Sequence, residues 1–409
     1  MADFNFKKWN LILGWFAFLI AFIAYSLTVE PTVSFWDAGE YILTSSKLQV
    51  GHPPGAPFFQ MMGAFFSIFA TDPTQIGLMI NMMSASASAF TILFMFWSIV
   101  LLIKQVVNNN ESSKEQNIAI LGAAFVGSLS FAFTDSFWFN AVETEVYAMA
   151  TLIMAVLFYL GLRWGNEMFT PRGNKWLILI SFVVGLSFGV HFMGLLTIPA
   201  ISLIYFFKNY RTVTIKNLIL ANLAGIAILL FVFKLLAPNI LRYFSVLEIF
   251  FINSVGLPFN SGSIIAFFLL VGFIIFGIRY TRKKNYVNLN TALLCVTFII
   301  IGFSCWIMLP IRANANVTVN ENNPSSAREL LAYYNLEQYP KTHLFYGPQF
   351  TDQYAGLDKN NPYVDDKPKY EKDEALGKYV IVNDYKNGLQ NYNSRHASLL
   401  PRMWSSWMN

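Results

Sequence analysis

Long apolar runs separated by short polar stretches fill the first three quarters of the chain. A helix needs about 20 mostly apolar residues to cross the hydrocarbon core of a bilayer. Segments at roughly 10–29, 76–103, 117–134, 146–164, 217–236, 262–280 and 288–309 meet that requirement. The run 176–207 is too long for one ordinary crossing and carries Gly185, Gly189, Gly194 and Pro199, so it reads either as a single long span or as a hairpin of two short helices broken near His191. Two shorter apolar stretches, 35–48 and 57–70, fall inside the polar loop 30–75 and read as helices lying along the membrane interface.

Charge chooses between the two readings of 176–207. With a hairpin, 14 of the 17 Lys and Arg residues before residue 310 fall on one side, among them Lys7, Lys8, Lys104, Arg163, Lys208, Arg211 and the 282–284 cluster. That asymmetry is what the positive-inside rule expects of a cytoplasmic face. The predicted architecture is therefore an all-α polytopic membrane bundle of about nine transmembrane segments. Its N-terminus is cytoplasmic, and interfacial helices lie in the first outer loop. On this topology eight of the twelve acids before residue 310 gather on the opposite, outer side, in the loops 30–75, 135–145 and 237–261.

Composition divides the chain at about residue 309. The whole sequence is 55% hydrophobic and 12% charged, outside the norm for soluble domains. Residues 310–409 nevertheless hold 11 of the 23 acids and 11 of the 28 bases. The expected domains are a membrane unit, 1–309, and a polar outer tail, 310–409, in which only 328–339 reads as helical and 379–382 as a strand. The bases are spread among loops, so a net charge of +5 does not indicate nucleic-acid binding. Cys295 and Cys305, both in an apolar run, suggest neither disulfides nor a zinc site. No small-residue cleavage site precedes Glu30-Pro31, so the first apolar segment reads as a retained helix rather than a signal peptide.

The candidate chemistry concentrates in 30–60. Asp37 and Glu40, three apart, share one face of a helix beginning near Phe35. The competing reading is a capping box from Ser34 to Asp37. The turn Gly51-His52-Pro53-Pro54-Gly55 fixes one of only four histidines, or serves only as a connector. Glu143 and Glu145 open the segment at 146, where acids also stabilise a helix N-terminus by about 0.3–1 kcal/mol. His191, at the expected hairpin break, is a polar residue near membrane depth, with hydrogen bonding to a freed carbonyl as its alternative role. Arg312, closing the last span, reads as a headgroup anchor or as a two-pronged phosphate ligand.

Taken together, Phe35-Trp36-Asp37-Ala38-Gly39-Glu40, His52-Pro53-Pro54-Gly55, Val142–Tyr147, Gly185–His191, and Ile311-Arg312 with Asn320–Pro324 resemble a membrane family common in Bacteroidota. That family is similar to the eukaryotic transmembrane O-mannosyltransferases of the GT-C glycosyltransferase superfamily. The resemblance covers residues 9 to about 350. It implies a GT-C-like fold in the bacterial inner membrane, with Asp37 matching the family's first-loop acid. It also implies transfer of a sugar, mannose being one candidate, from a polyprenyl phosphate to a hydroxyl of a protein or glycan on the periplasmic side. Members of that family are longer, so the expectation is a truncated form or one subunit of a membrane complex.

On this reading Asp37 is the general base, and Glu40 supports it or orients the acceptor. His52, Glu143, Glu145, His191 and Arg312 bind substrate. No cofactor is indicated; a divalent cation bridging phosphate and acids is an option for which no diagnostic ligand set is present. A transporter is the rival class, as is a scaffold subunit without catalysis. A transporter calls for ionisable residues near mid-membrane and for internal pseudo-symmetry, whereas the acids here sit at one boundary and no repeat is visible.

Overall fold

The computed structural model describes residues 4–107, 113–339, 343, 345–348 and 357–401. It is predominantly helical. Helices α1 (Phe6–Thr28), α4 (Ile76–Val107), α7 (Val146–Glu167), α12 (Ser261–Lys283) and α13 (Val287–Phe303) follow the apolar runs closely. Among the described residues, seven helical stretches are long and apolar enough to cross a membrane. An eighth is added if α5 (Lys114–Ala132) and α6 (Asp135–Ala141), bent 70° to each other, make one span. The protein is thus an integral membrane protein. Helix α8 (Asn174–Ser187) has 14 residues, too few to span unaided, so length and composition stop short of the expected nine.

The two interfacial helices expected in the first loop are present as α2 (Ala38–Ser46) and α3 (Pro57–Ser67). The run 176–207 is broken: α8 stops at Ser187, a turn passes through His191, and a 3₁₀ stretch leads into α9 (Thr197–Asn209). Gly185 is not part of the break. A Cβ there would come within 2.2 Å of the Ile299 carbonyl, and one at Gly302 within 2.3 Å of the Phe182 carbonyl. The two glycines let α8 and α13 touch backbone to backbone, as small residues do between membrane helices.

One expectation fails after residue 236. The outer loop predicted at 237–261 is helical as far as Asn253, α11 (Ala237–Asn253) following α10 (Ile215–Leu230) without a loop between them. The link is a turn of π-helix at Phe231–Leu236, in which the Ala237 amide donates to Val232, five residues back. Pro238 has no N–H to give the Lys234 carbonyl and would crowd it in an α-helix. The widened turn absorbs the proline, and the helix passes through instead of ending.

The chain forms two compact units. The first comprises residues 1–239 and 270–325. At its centre Ala17, Ala21 and Tyr25 of α1 pack on Ala85, Ala89 and Ile92 of α4 and on Ala132, Phe137 and Ala141. The buried Tyr25 hydroxyl donates to the Ala132 carbonyl at 2.8 Å, closing α1 against the α5–α6 bend. The second unit comprises 240–269 and 326–409. Its described strands pair antiparallel as β1 (Tyr346–Pro348) with β6 (Ala397–Leu399), β2 (Tyr363–Val364) with β5 (Leu389–Gln390), and β3 (Lys369–Asp373) with β4 (Lys378–Asn383). Asn253 exchanges two hydrogen bonds with the Tyr379 backbone at 2.8 and 2.9 Å. Buried Glu248 accepts from the Asn260 and Ser263 amides and from the Tyr379 hydroxyl. These bonds tie the polar tail to the helical hairpin 240–269, an association invisible in the tail's own composition.

Candidate active site

The first loop is held in place from three directions, each through a short-range polar clamp. Asn81, fully buried on α4, donates to the carbonyls of Glu30 and Thr32 at 2.7 and 2.8 Å and accepts from the Thr144 hydroxyl. With the Glu30 amide on the Val142 carbonyl at 2.9 Å, this fixes the start of the loop to the segment carrying Glu143 and Glu145. At α3, the amides of Phe58 and Phe59 both donate to the Gly189 carbonyl, at 2.8 and 3.0 Å, which draws the 188–191 turn to the loop. Finally, Val50 bridges in parallel to 319–321, with Val50 donating to Val319 and Glu321 to Val50, each at 3.0 Å.

Asp37 is the N-cap residue of α2, and its side chain makes no capping hydrogen bond. The capping-box alternative is thereby removed: the carboxylate is available. The residue before it, Trp36, is exposed and has φ of 61°, a left-handed conformation that costs energy for a bulky residue. That turn leaves the Phe35 and Trp36 rings facing outward beside Asp37.

Glu40, one turn into α2, takes two hydrogen bonds from a single residue. Its Oε1 accepts from the His52 amide at 2.6 Å, and its Oε2 lies 2.9 Å from His52 Nδ1. Gly51 permits this approach, since a Cβ there would lie 2.7 Å from Glu40 Oε1. Burial pushes the Glu40 carboxyl up, but the bonds from the His52 ring and amide outweigh it and hold Glu40 below its usual value. The same bond to Glu40 raises the His52 pKa against the opposing effect of burial. An ionised Glu40 can only accept, so Nδ1 carries a proton, and Nε2 lies 4.0 Å from Asp37 Oδ2. Glu40, His52 and Asp37 thus form a line leading from the loop interior to the open carboxylate.

Asp37 and His52, but not Glu40 behind them, line a pocket of about 160 Å³ whose wall also includes Tyr41, Glu145, Tyr147 and His191. That volume is about five water molecules' worth, the scale of one sugar ring. Burial, then Asp37 and Glu143 nearby, push Glu145 up to about 7. His191 accepts the Met193 amide at Nδ1, 3.1 Å away, so in its neutral form Nε2 is the donor. The Tyr147 ring lies 5.3 Å from the His191 ring, and Tyr41 lies 5.8 Å from that of His52.

Two residues singled out by sequence lie elsewhere. Glu143 is buried and does not line the pocket; burial raises its pKa. Arg312 spends its guanidinium on the carbonyls of Leu48 (2.6 Å) and Lys47 (3.1 Å), closing the C-terminal end of α2. Asn81 and Gly51, which set the loop's position and the Glu40–His52 contact, were missed. The only sequence signal for Asn81 was an asparagine early in an otherwise apolar span. Among the described residues no three His, Cys, Asp or Glu side chains converge as a group that could hold a metal ion.

Comparison with known proteins locates the similarity on this region. Residues 37–214 match the family described as the N-terminal domain of the protein O-mannosyl-transferase TMEM260. Residues 340–409 match a family of unknown function, DUF8416. A protein O-mannosyl-transferase tmem260 of Dictyostelium discoideum is 25% identical over 242 residues, 55% of this chain. The chain spans 28% of that relative's length. No solved structure matches the chain. The family match begins at Asp37 and runs past His191, so it takes in Glu40, His52, Glu145 and His191.

Proposed function

We propose that the protein is a membrane glycosyltransferase that moves a sugar, with mannose the first candidate, from a polyprenyl phosphate to an acceptor hydroxyl. The carrying observation is the Asp37 carboxylate, free of any capping bond, in the wall of a sugar-sized polar pocket, beside a His52 fixed by Glu40. Similarity to a protein O-mannosyl-transferase over that stretch supports a glycosyltransferase role.

Asp37 takes the proton of the acceptor hydroxyl as the oxygen attacks the anomeric carbon. The new C–O bond forms as the bond from that carbon to the phosphate oxygen breaks, and the phosphate leaves with the electron pair, inverting the centre. A phosphate needs no strong general acid, so the pocket's remaining task is to bear charge on its oxygens. His52, whose Nδ1–H is held by Glu40 and whose raised pKa favours the ring that also carries Nε2–H, and His191 Nε2–H are the donors at hand. Glu40 acts through His52, as a positioning residue. Glu145, neutral below about pH 7, there hydrogen-bonds the sugar without adding repulsion.

The charge pattern supports a cytoplasmic N-terminus with pocket and tail on the outer side; that this side is the periplasm of a bacterial inner membrane rests on the resemblance alone. The hairpin at His191, with α8 as a short crossing element, supports the reading of nine segments in a GT-C-like bundle. The acceptor, protein Ser/Thr or glycan, is to be found by experiment. Purified protein is incubated with a panel of polyprenyl-phosphate sugars, and lipid and acceptor are analysed by mass spectrometry. Loss of one sugar from one lipid with its gain on a hydroxyl sustains the reading; no transfer from any donor in the presence of native membrane extract removes it.

A further inference from the structure

Resting on that reading, one element the site has not used is Lys234, and we propose that its ammonium anchors the phosphate of the lipid-linked donor. The pocket is rich in acids, and a lipid phosphate approaching it needs a cation. Arg312, the cation the sequence offered, is engaged by two backbone carbonyls.

Lys234 is placed to supply it. It sits in the π-helical turn Phe231–Leu236 that accommodates Pro238, a kind of irregularity frequent at functional sites. Nineteen residues of helix separate it from Ile215, about 28 Å at 1.5 Å per residue, or roughly one hydrocarbon thickness. The lysine therefore lies at the opposite membrane boundary from the basic loop around Arg211 and Lys216. Its ammonium lies 4.6 Å from the Phe233 ring centroid. The Phe233 ring in turn packs 4.9 Å from Phe192, which lines the polar pocket next to His191. Two ring contacts thus lead from the ammonium to the pocket wall. The lysine is exposed and makes no salt bridge among the described residues.

The same turn borders an apolar space. Val232, two residues from Lys234, lines a cavity of about 610 Å³ enclosed by α7, α8, α9, α10 and α13, with Ile198, Ile228 and Ile299 among its walls. Its volume is typical of ligand cavities. An amphiphile with a hydrocarbon chain, a phosphate and a sugar requires an apolar space, a cation and a polar pocket, and this turn borders the apolar space through Val232 and reaches the pocket wall through Phe233 and Phe192.

An isolated lysine at a membrane boundary also serves as a headgroup anchor, and the test separates the two roles. Transfer kinetics are measured in detergent for the wild type, Lys234→Met and Lys234→Arg, varying donor and acceptor separately. The expected result for Lys234→Met is a donor KM raised about tenfold, the scale of one charge-assisted contact, with the acceptor KM unchanged. Lys234→Arg stays within a few-fold of wild type. An unchanged donor KM in Lys234→Met overturns the assignment. If the wild type itself transfers no sugar, the proposed function falls, and the lysine is judged on binding of polyprenyl phosphate by native mass spectrometry. Weaker binding by Lys234→Met, with phosphatidylglycerol binding unaffected, sustains the anchor; equal loss of both lipids, or of neither, overturns it.

Discussion

Glu40 receives both the backbone amide and the ring nitrogen of His52, at 2.6 and 2.9 Å. The arrangement converts a proline-rich turn into a fixed support for an imidazole. It also explains why the two residues have opposite pKa shifts: the contact favours the charged form of each.

The pair gives a pH signature in stability. Glu40 is held below its ordinary 4.5, so its contribution is present above 4.5 and is lost as pH falls through the folded value. His52 is raised above its ordinary 6.5, so its contribution is present below 6.5 and is lost as pH rises through the folded value. Replacing Glu40 by Gln should therefore lower the melting temperature most between pH 4.5 and 6.5, with the deficit shrinking on either side. Melting in detergent across pH measures this, and a pH-independent deficit would contradict the ion pair.

Glu145 predicts a pH effect on the donor. Burial first, and then the neighbouring acids, push it up to about 7, so it is neutral below that pH and anionic above. An ionised Glu145 repels an anionic donor, and the donor KM should rise several-fold between pH 6 and 8. In Glu145→Gln the rise should flatten, because the side chain stays neutral. A wild-type profile in which the donor KM falls over that interval would reverse the role given to this residue.

Asn81 is a structural prediction. Its amide serves two carbonyls and a hydroxyl from the segments that bracket the first loop. Asn81→Ala leaves those groups unmatched, at a cost of about 1–3 kcal/mol. Thermal unfolding should show the loss, and transfer should fall with it because Asp37 and Glu145 are held together through this clamp. Wild-type stability in Asn81→Ala would show that the loop is fixed by other contacts.

The bundle was legible because crossing a bilayer demands long apolar runs, and the hairpin because bases segregate by side. His191 was found from its place at a predicted helix break, and it lines the pocket. What the sequence hid were contacts decided by backbone geometry. Arg312 looked like a phosphate ligand, yet the carbonyls at the end of α2 lie within its reach and take the guanidinium. Glu143 and Glu145 are two residues apart, looked equivalent and are both buried, yet only Glu145 lines the pocket. The helix beyond residue 236 was not legible because it passes Pro238 through a π-turn that only the backbone geometry reveals. The tail's attachment to 240–269 depends on Glu248 and Asn253, more than a hundred residues from their partner Tyr379.

The central claim is that Asp37 removes the acceptor proton. It is tested by comparing sugar transfer from a polyprenyl-phosphate donor by the wild type and Asp37→Asn, with donor binding and melting temperature measured on the same preparations. The account predicts that Asp37→Asn loses transfer by at least about a hundredfold, the lower range for a general base, while it still folds and still binds the donor. Transfer by Asp37→Asn at near wild-type rate would contradict it.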